Sequence, residues 1–173
     1  ETICFRYNPG PLKKGNVIIG HPEEEKYGFT REQLFEGYRT LRDKGIKRFG
    51  IHAMVASNEL DPMYFVDTAE ILFTLVVEIS GELGIRFDFV NIGGGLGIPY
   101  ARDYQAPPLP LDYGAMVKRT LGHLDCEIEI EPGRLIAGNA GLMVSDVIFV
   151  KSGEGRDFLI LDGAMNDLIR PAM

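Results

Sequence analysis

The sequence predicts a parallel α/β architecture that passes into antiparallel β structure toward its C-terminus. Three observations carry this. Strand-like and helix-like segments alternate up to about residue 145, a rhythm that implies parallel strands joined by right-handed crossovers. In the last of those strands Glu127, Glu129 and Glu131 alternate with Cys126, Ile128 and Ile130, whereas a parallel sheet covered on both faces is apolar throughout. After Asp146 two strand-like runs follow one another with no helix between them. The alternation alone fits a doubly wound sheet or part of a barrel; three acids on one face point to a polar barrel lumen, with a solvated edge strand as the plainer alternative.

The elements follow in order. Thr30 with Gln33 three positions on forms a capping box, and Leu34, Phe35, Tyr38 and Leu41 recur at helical spacing before Gly45. Ile46 to Ile51 reads as a strand. Asp61-Pro62 is an N-cap with proline at the first helical position. Phe65, Val66, Ala69, Leu72, Phe73, Val76 and Leu83 form the apolar stripe that follows, closed by Gly84. Phe87 to Ile92 is the next strand, a helix runs from near Asp112 to Gly122, and Cys126 to Ile130 is a further strand. The proline-rich stretch from Ala106 to Pro110 reads as a loop. Asp146–Val150 and Phe158–Leu161, joined through Ser152-Gly153-Glu154-Gly155, read as a hairpin. The expected domains are therefore 1–145 and 146–173.

Composition excludes several classes of function. The 173 residues carry 18 Lys+Arg against 25 Asp+Glu, a net charge of −7. That balance argues against nucleic-acid binding, which needs clustered cations. The apolar run Ile71–Val77 is fenced by Glu70 and Glu78 and is far short of the ~20 residues that span a bilayer. Cys4 and Cys126 stand far apart with no metal-like spacing, which suits a reducing, cytoplasmic compartment. His21, His52 and His123 give no basis for a metal centre.

Four segments carry candidate chemistry. In Asn91-Ile92-Gly93-Gly94-Gly95-Leu96-Gly97 the glycines directly follow a parallel strand, at the end where α/β folds bind ligands. Without Cβ atoms, backbone N–H groups can close around a phosphate, and the run holds more glycines than a turn requires. The dinucleotide and Walker patterns both fail here. Glu131 opens Glu-Pro-Gly-Arg at the end of the acidic strand, where a buried carboxylate needs a cationic partner such as a protonated heterocycle or Arg134. His52 and Met54 share a side of their strand, where a lone histidine is more often structural than catalytic, and Ser57 just beyond it fits either a donor to a phosphate or the cap of a turn. Arg170 fits a carboxylate clamp and, taken alone, equally a surface arginine.

Taken together and in order, these segments resemble diaminopimelate decarboxylase, a pyridoxal-phosphate enzyme of the alanine-racemase-like (β/α)8 TIM-barrel class. The resemblance runs through Phe5-Arg6-Tyr7-Asn8-Pro9-Gly10, Lys26-Tyr27-Gly28, Gly50-Ile51-His52, Gly93–Gly97, Glu131–Arg134 and Asp162–Ala172. It implies that the backbones of Gly93, Gly94 and Gly95, with Ser57, hold the phosphate of pyridoxal 5'-phosphate. Glu131 would bond the pyridine nitrogen, and Arg134 would sit on the phosphate and substrate side. Arg170 would clamp a substrate carboxylate. A homodimer is implied. The family reads His-x-His-Ile-Gly-Ser where this chain has Met54 and Ala56, so that Met54 or His52 is left to face the cofactor ring, and Asn91 replaces the commoner Asp.

The resemblance also places the Schiff-base lysine before Glu1 and the catalytic cysteine after Met173. The chain is thus expected to be the second half of a barrel plus the start of a β-domain, inactive by itself. The parent reaction is expected to take meso-diaminopimelate to L-lysine and CO2. Its rivals are a sister decarboxylase acting on ornithine, arginine or carboxynorspermidine, and a non-catalytic pyridoxal-phosphate or phosphate-binding protein.

Overall fold

The computed structural model describes residues 1–100, 110–121 and 124–168. Residues 106–109 of the expected proline-rich loop, Gly122 at the expected helix end, His123 and Arg170 lie outside them; Pro110, the last residue of that expected loop, instead begins a helix. The chain forms two compact units, Glu1–Gly138 and Asn139–Met173, dividing ahead of the change expected at residue 146.

In the first unit four strands, β1 (Ile3–Tyr7), β2 (Phe49–Ala53), β3 (Phe87–Asn91) and β4 (Glu127–Glu129), pair in parallel in the order of the sequence. Strictly sequential order fits an arc of a barrel, and it equally fits one half of a doubly wound sheet short of its switch point. The connecting helices are α1 (Arg31–Asp43), α2 (Pro62–Leu83) and α3 (Pro110–Leu121).

Helix α1 begins where the capping box places it. Thr30 Oγ1 accepts from the Gln33 N–H, and Gln33 Oε1 accepts from the Thr30 N–H at 2.9 Å. It ends in a Schellman turn: the Gly45 N–H donates to Arg42 O and the Ile46 N–H to Leu41 O, with Gly45 left-handed. Ile46 is therefore part of the helix stop, and the strand expected from that residue starts only at Phe49. Helix α2 follows its N-cap, Asp61, whose carboxylate accepts from the Met63 N–H at 2.9 Å, and it closes at left-handed Gly84.

The core lies between the sheet and these helices. Tyr38, Leu34, Ile51, Leu72, Ile79 and Val90 are fully buried there. Tyr38 packs edge-on against Phe49 and Phe87, and its hydroxyl donates to Gly50 O at 2.7 Å. Phe87 and Val90 both belong to this core although strand alternation would put them on opposite faces. A β-bulge at Asp88 resolves the conflict: Phe49 pairs with Phe87 and Gly50 with Phe89, leaving one residue of β3 extra.

The opposite face is the polar one. One row across it reads Arg6, His52, Asn91, Glu129, and the row below reads Cys4, Gly50, Phe89, Glu127. The expectation that the acids of β4 share a face is met.

In the second unit β5 (Val147–Ser152) and β6 (Asp157–Leu161) form an antiparallel hairpin, closed by the Gly153 N–H donating to Arg156 O at 3.0 Å. No side chain of β5 is buried.

Candidate functional site

The site is assembled on the C-terminal ends of the strands. Met54–Asn58 follow β2, Ile92–Ile98 follow β3, and Ile130–Gly133 follow β4, leading into the short helix α4 (Arg134–Ala137). Each segment is fastened to the next by backbone bonds. The Ile92 N–H donates to Glu129 O at 3.0 Å and the Glu131 N–H to Gly93 O at 2.9 Å. On the other side the Glu59 N–H donates to Gly95 O, and the Gly97 N–H donates back to Glu59 O.

That lacing is tight enough to account for the glycines individually. A Cβ on Gly93 would overlap Ala53 O, one on Gly94 would overlap Glu131 O, and one on Gly95 would overlap Ala56 O. On Gly97 it would meet the Asn58 carbonyl carbon at 2.7 Å. The sequence-based argument, that the run exceeds what a turn requires, therefore does not by itself indicate a phosphate: close backbone approach requires all four.

Hydrogen bonding separates the amides of the run. The Gly93 N–H donates to Asn91 Oδ1 at 2.8 Å and the Gly94 N–H to Met54 Sδ at 3.3 Å. No described residue accepts from the Gly95 or Leu96 N–H.

Glu131 is half-exposed at 52% of its side-chain area. Asn91 Nδ2 lies 3.1 Å from Glu131 Oε1 and 3.2 Å from Glu129 Oε2. His52 Nε2 is 3.4 Å from Glu131 Oε2, within ion-pair reach but without the alignment of a hydrogen bond, so the buried nitrogen has no bonding partner. Burial holds the His52 pKa below its ordinary value of 6.5, Glu131 pulls it upward and Arg6 adds to the depression. The Arg6 guanidinium donates to Met54 O at 2.8 Å and approaches Glu25 at 3.8 Å. Below this row, Cys4 is open to solvent by area, yet partial desolvation and the carboxylates of Glu129 and Glu131 raise its thiol to about 11.

The structure thus brings together His52, Met54, Gly93, Gly94, Gly95 and Glu131. Ser57 adjoins them, its N–H donating to Asn16 Oδ1 at 3.3 Å. Arg134, at the start of α4, directs its guanidinium to Tyr100, 5.8 Å from the ring centre and 3.4 Å from the hydroxyl. Met54 and His52 have different neighbours, Met54 taking the glycine run and His52 the acid.

Sequence reasoning missed the asparagines that tie the segments together. Asn58 adopts a left-handed conformation, φ 50°, and its Oδ1 accepts from the Ile98 N–H at 2.9 Å. Asn16 bridges Glu59 and Ser57. The available signal was that asparagine tolerates left-handed turns and bonds nearby backbone.

A separate cavity of about 540 Å3 lies between the segment after β1 and helix α2, lined in part by Lys13, Glu59, Tyr64 and Asp67. It includes none of His52, Met54, Ser57, Gly93, Gly94, Gly95, Glu131 or Arg134. Among the described residues no group of His, Cys, Asp and Glu is placed to hold a metal ion, and no helix is long and apolar enough to cross a membrane.

With this geometry in place, the family model for the pyridoxal-binding domain of pyridoxal-dependent decarboxylases matches residues 2–138. The chain belongs to this family. The match ends where the first compact unit ends. Among curated proteins, the diaminopimelate decarboxylase of Vibrio cholerae serotype O1 is 37% identical over 99% of this chain and 41% of its own length. Protein TabA of Pseudomonas amygdali pv. tabaci is 34% identical over 100% of this chain and 42% of its own length. The crystal structure of diaminopimelate decarboxylase from M. jannaschii in co-complex with L-lysine superposes with a TM-score of 0.81 at 27% identity, covering 99% of this chain and 41% of that one. The chain thus spans about two fifths of the length of these relatives.

Proposed function

We propose that this chain is the cofactor-holding part of a pyridoxal-phosphate-dependent decarboxylase that converts meso-diaminopimelate to L-lysine and CO2. The observation that carries the reading is Glu131, a half-exposed carboxylate bonded through its own N–H to the glycine run. It sets an anion beside amides free to donate. Pyridoxal phosphate needs that pairing: donors for its phosphate and an acid for its ring nitrogen. The Gly95 and Leu96 N–H groups supply the first, with Gly93 and Gly94 shaping the loop and Ser57 assisting. Glu131 supplies the second. When bound, the cofactor draws electron density from the carbon that loses CO2.

The chain's residues prepare that site by holding charge and excluding freedom. Glu131 keeps a proton on the ring nitrogen. His52 and Met54 bound the shelf on the β2 side, and Arg134 lies toward the phosphate and substrate. Arg170 meets the distal carboxylate of the substrate. The parent protein closes a (β/α)8 barrel, followed by the β-domain that begins in the second unit, and works as a cytoplasmic homodimer.

The 173-residue chain by itself does not decarboxylate. The Lys13 amine is bonded to Tyr64 O and near Asp67, and Lys26 lies over Tyr27. The other lysines fall in the segment after β1, the α1–β2 connection, α3 and β5.

Diaminopimelate is favoured because diaminopimelate decarboxylases from several organisms align along 99% of the chain, although Protein TabA aligns along all of it, so the substrate is tested directly. The test is CO2 release by the full coding frame offered meso-diaminopimelate, ornithine, arginine and carboxynorspermidine. Release from diaminopimelate alone supports the reading, and release from another substrate reassigns it to a sister decarboxylase. Cofactor binding with no release from any of them favours the second reading, a non-catalytic pyridoxal-phosphate-binding protein. Met54 is the observation behind that alternative, because a thioether bonded to the Gly94 N–H exchanges no protons.

A further inference from the structure

We infer that Asn91 and His52 are positioning residues that clamp the two carboxylate oxygens of Glu131, and that Asn91 locks this acid to the glycine run. The inference rests on the reading of Glu131 as the acid facing the cofactor.

Asn91 uses both ends of its amide. Its Nδ2 donates toward Glu131 Oε1 and Glu129 Oε2, while its Oδ1 accepts from the Gly93 N–H. Only this orientation of the amide satisfies all three partners, since carboxylates need a donor and a backbone N–H needs an acceptor. Asn91 as a whole is only 8% exposed, so its amide is sheltered from competing water. One residue therefore fixes the distance between the acid and the loop meant for the phosphate. Aspartate in its place would turn an acceptor on two carboxylates, losing the donor that both accept from and adding a third negative charge to the cluster.

His52 reaches the remaining oxygen of Glu131. Its Nε2 is buried with no bonding partner 3.4 Å from Oε2, so a small rotation of either group completes the contact. The charged groups around the ring are Arg6 from β1 and Glu131 after β4, with Cys4 and Glu129 on the same face and Glu25 behind Arg6. Arg6 is drawn away to Met54 O and Glu25, which leaves Glu131 as the nearest anion. Held at both oxygens, the carboxylate keeps one orientation.

Two readouts on the 173-residue chain test this. The first is the proton NMR titration of the His52 ring. Glu131→Gln is expected to lower its midpoint by removing the facing anion, and Asn91→Asp to raise it by adding one; a midpoint unmoved by either substitution overturns the clamp. The second is pyridoxal phosphate binding followed by absorbance. Asn91→Ala and His52→Ala are each expected to weaken it by about tenfold, while His52→Gln, which keeps a neutral donor, restores it to within about threefold. Wild-type binding unchanged in both alanine variants overturns the inference and leaves the site reading standing. No binding by the wild type at millimolar cofactor overturns the site reading, and the His52 titration still decides the clamp.

Discussion

Gly94 and Glu131 are packed backbone to backbone: a Cβ on the glycine would overlap the glutamate carbonyl oxygen. Since the Glu131 N–H is also bonded to the adjacent Gly93, the loop and the acid cannot separate without losing both contacts. Gly94→Ala is expected to destabilise the first unit by about 1–3 kcal/mol, the usual cost of forcing volume into a packed site. Gly133, two residues beyond Glu131, has open space where its Cβ would be. Gly133→Ala should stay within about 0.5 kcal/mol of wild type. Urea unfolding of the two variants side by side checks the contrast; equal losses would mean that the overlap is relieved by a backbone shift.

The buried Tyr38 hydroxyl makes a second kind of prediction. It donates to Gly50 O at 2.7 Å from a fully buried ring, and burial raises its pKa far above the ordinary 10.0. Tyr38→Phe keeps the edge-on packing on Phe49 and Phe87 but strands the carbonyl. A loss of about 1 kcal/mol is expected, measured as a shift in the urea midpoint at constant slope.

His52 gives the chain a pH dependence whose sign is fixed. Its folded-state pKa lies below 6.5 because burial favours the neutral ring. Between that lower value and 6.5 the unfolded chain binds the extra proton, so stability falls as pH falls. The contribution is complete above 6.5 and is lost progressively below it. Thermal unfolding from pH 7.5 to 5 should show this decline, and His52→Gln should flatten it. A wild-type slope retained in the variant would assign the decline to other groups.

Cys4 lies on the polar face one row below the acids, with its thiol raised to about 11. In a Cys126→Ser background, alkylation by iodoacetamide at pH 8.5 is expected to be slow relative to a free thiol of pKa 9.0. Glu129→Gln should speed it, because one of the two carboxylates opposing the thiolate is gone. An unchanged rate would mean that desolvation alone governs this thiol.

Where an element is set by local chemistry, its boundary could be read from sequence. Thr30 with Gln33 and Asp61 with Pro62 start their helices as expected, and Gly84 ends α2. Ile46 misled because its apolar side chain belongs to the Schellman turn rather than to β2. Helix α4 is four residues long, too short for periodicity to announce. The acids of β4 were legible through their period of two, but their partners were not. Asn91 meets Glu131 from another strand, and nothing in local spacing reports that register. The glycine run was legible at the end of its strand, whereas the close approaches that require glycine there were not, because Ala53, Ala56 and Asn58 come from β2 and the segment after it.

The extra residue at Asp88 acts as a phase shift in the chain's alternation. Phe87 and Val90 both face the helices only because it is bulged out. Removing that one codon would leave plain alternation, with Phe87, Phe89, Val90 and Asn91 keeping the partners and faces they have now. A deletion in β2, which has no spare residue opposite the bulge, would instead exchange inside and outside for the rest of that strand. Across evolutionary descent, β3 should therefore tolerate the loss of a residue at Asp88 where β2 tolerates only changes of letter.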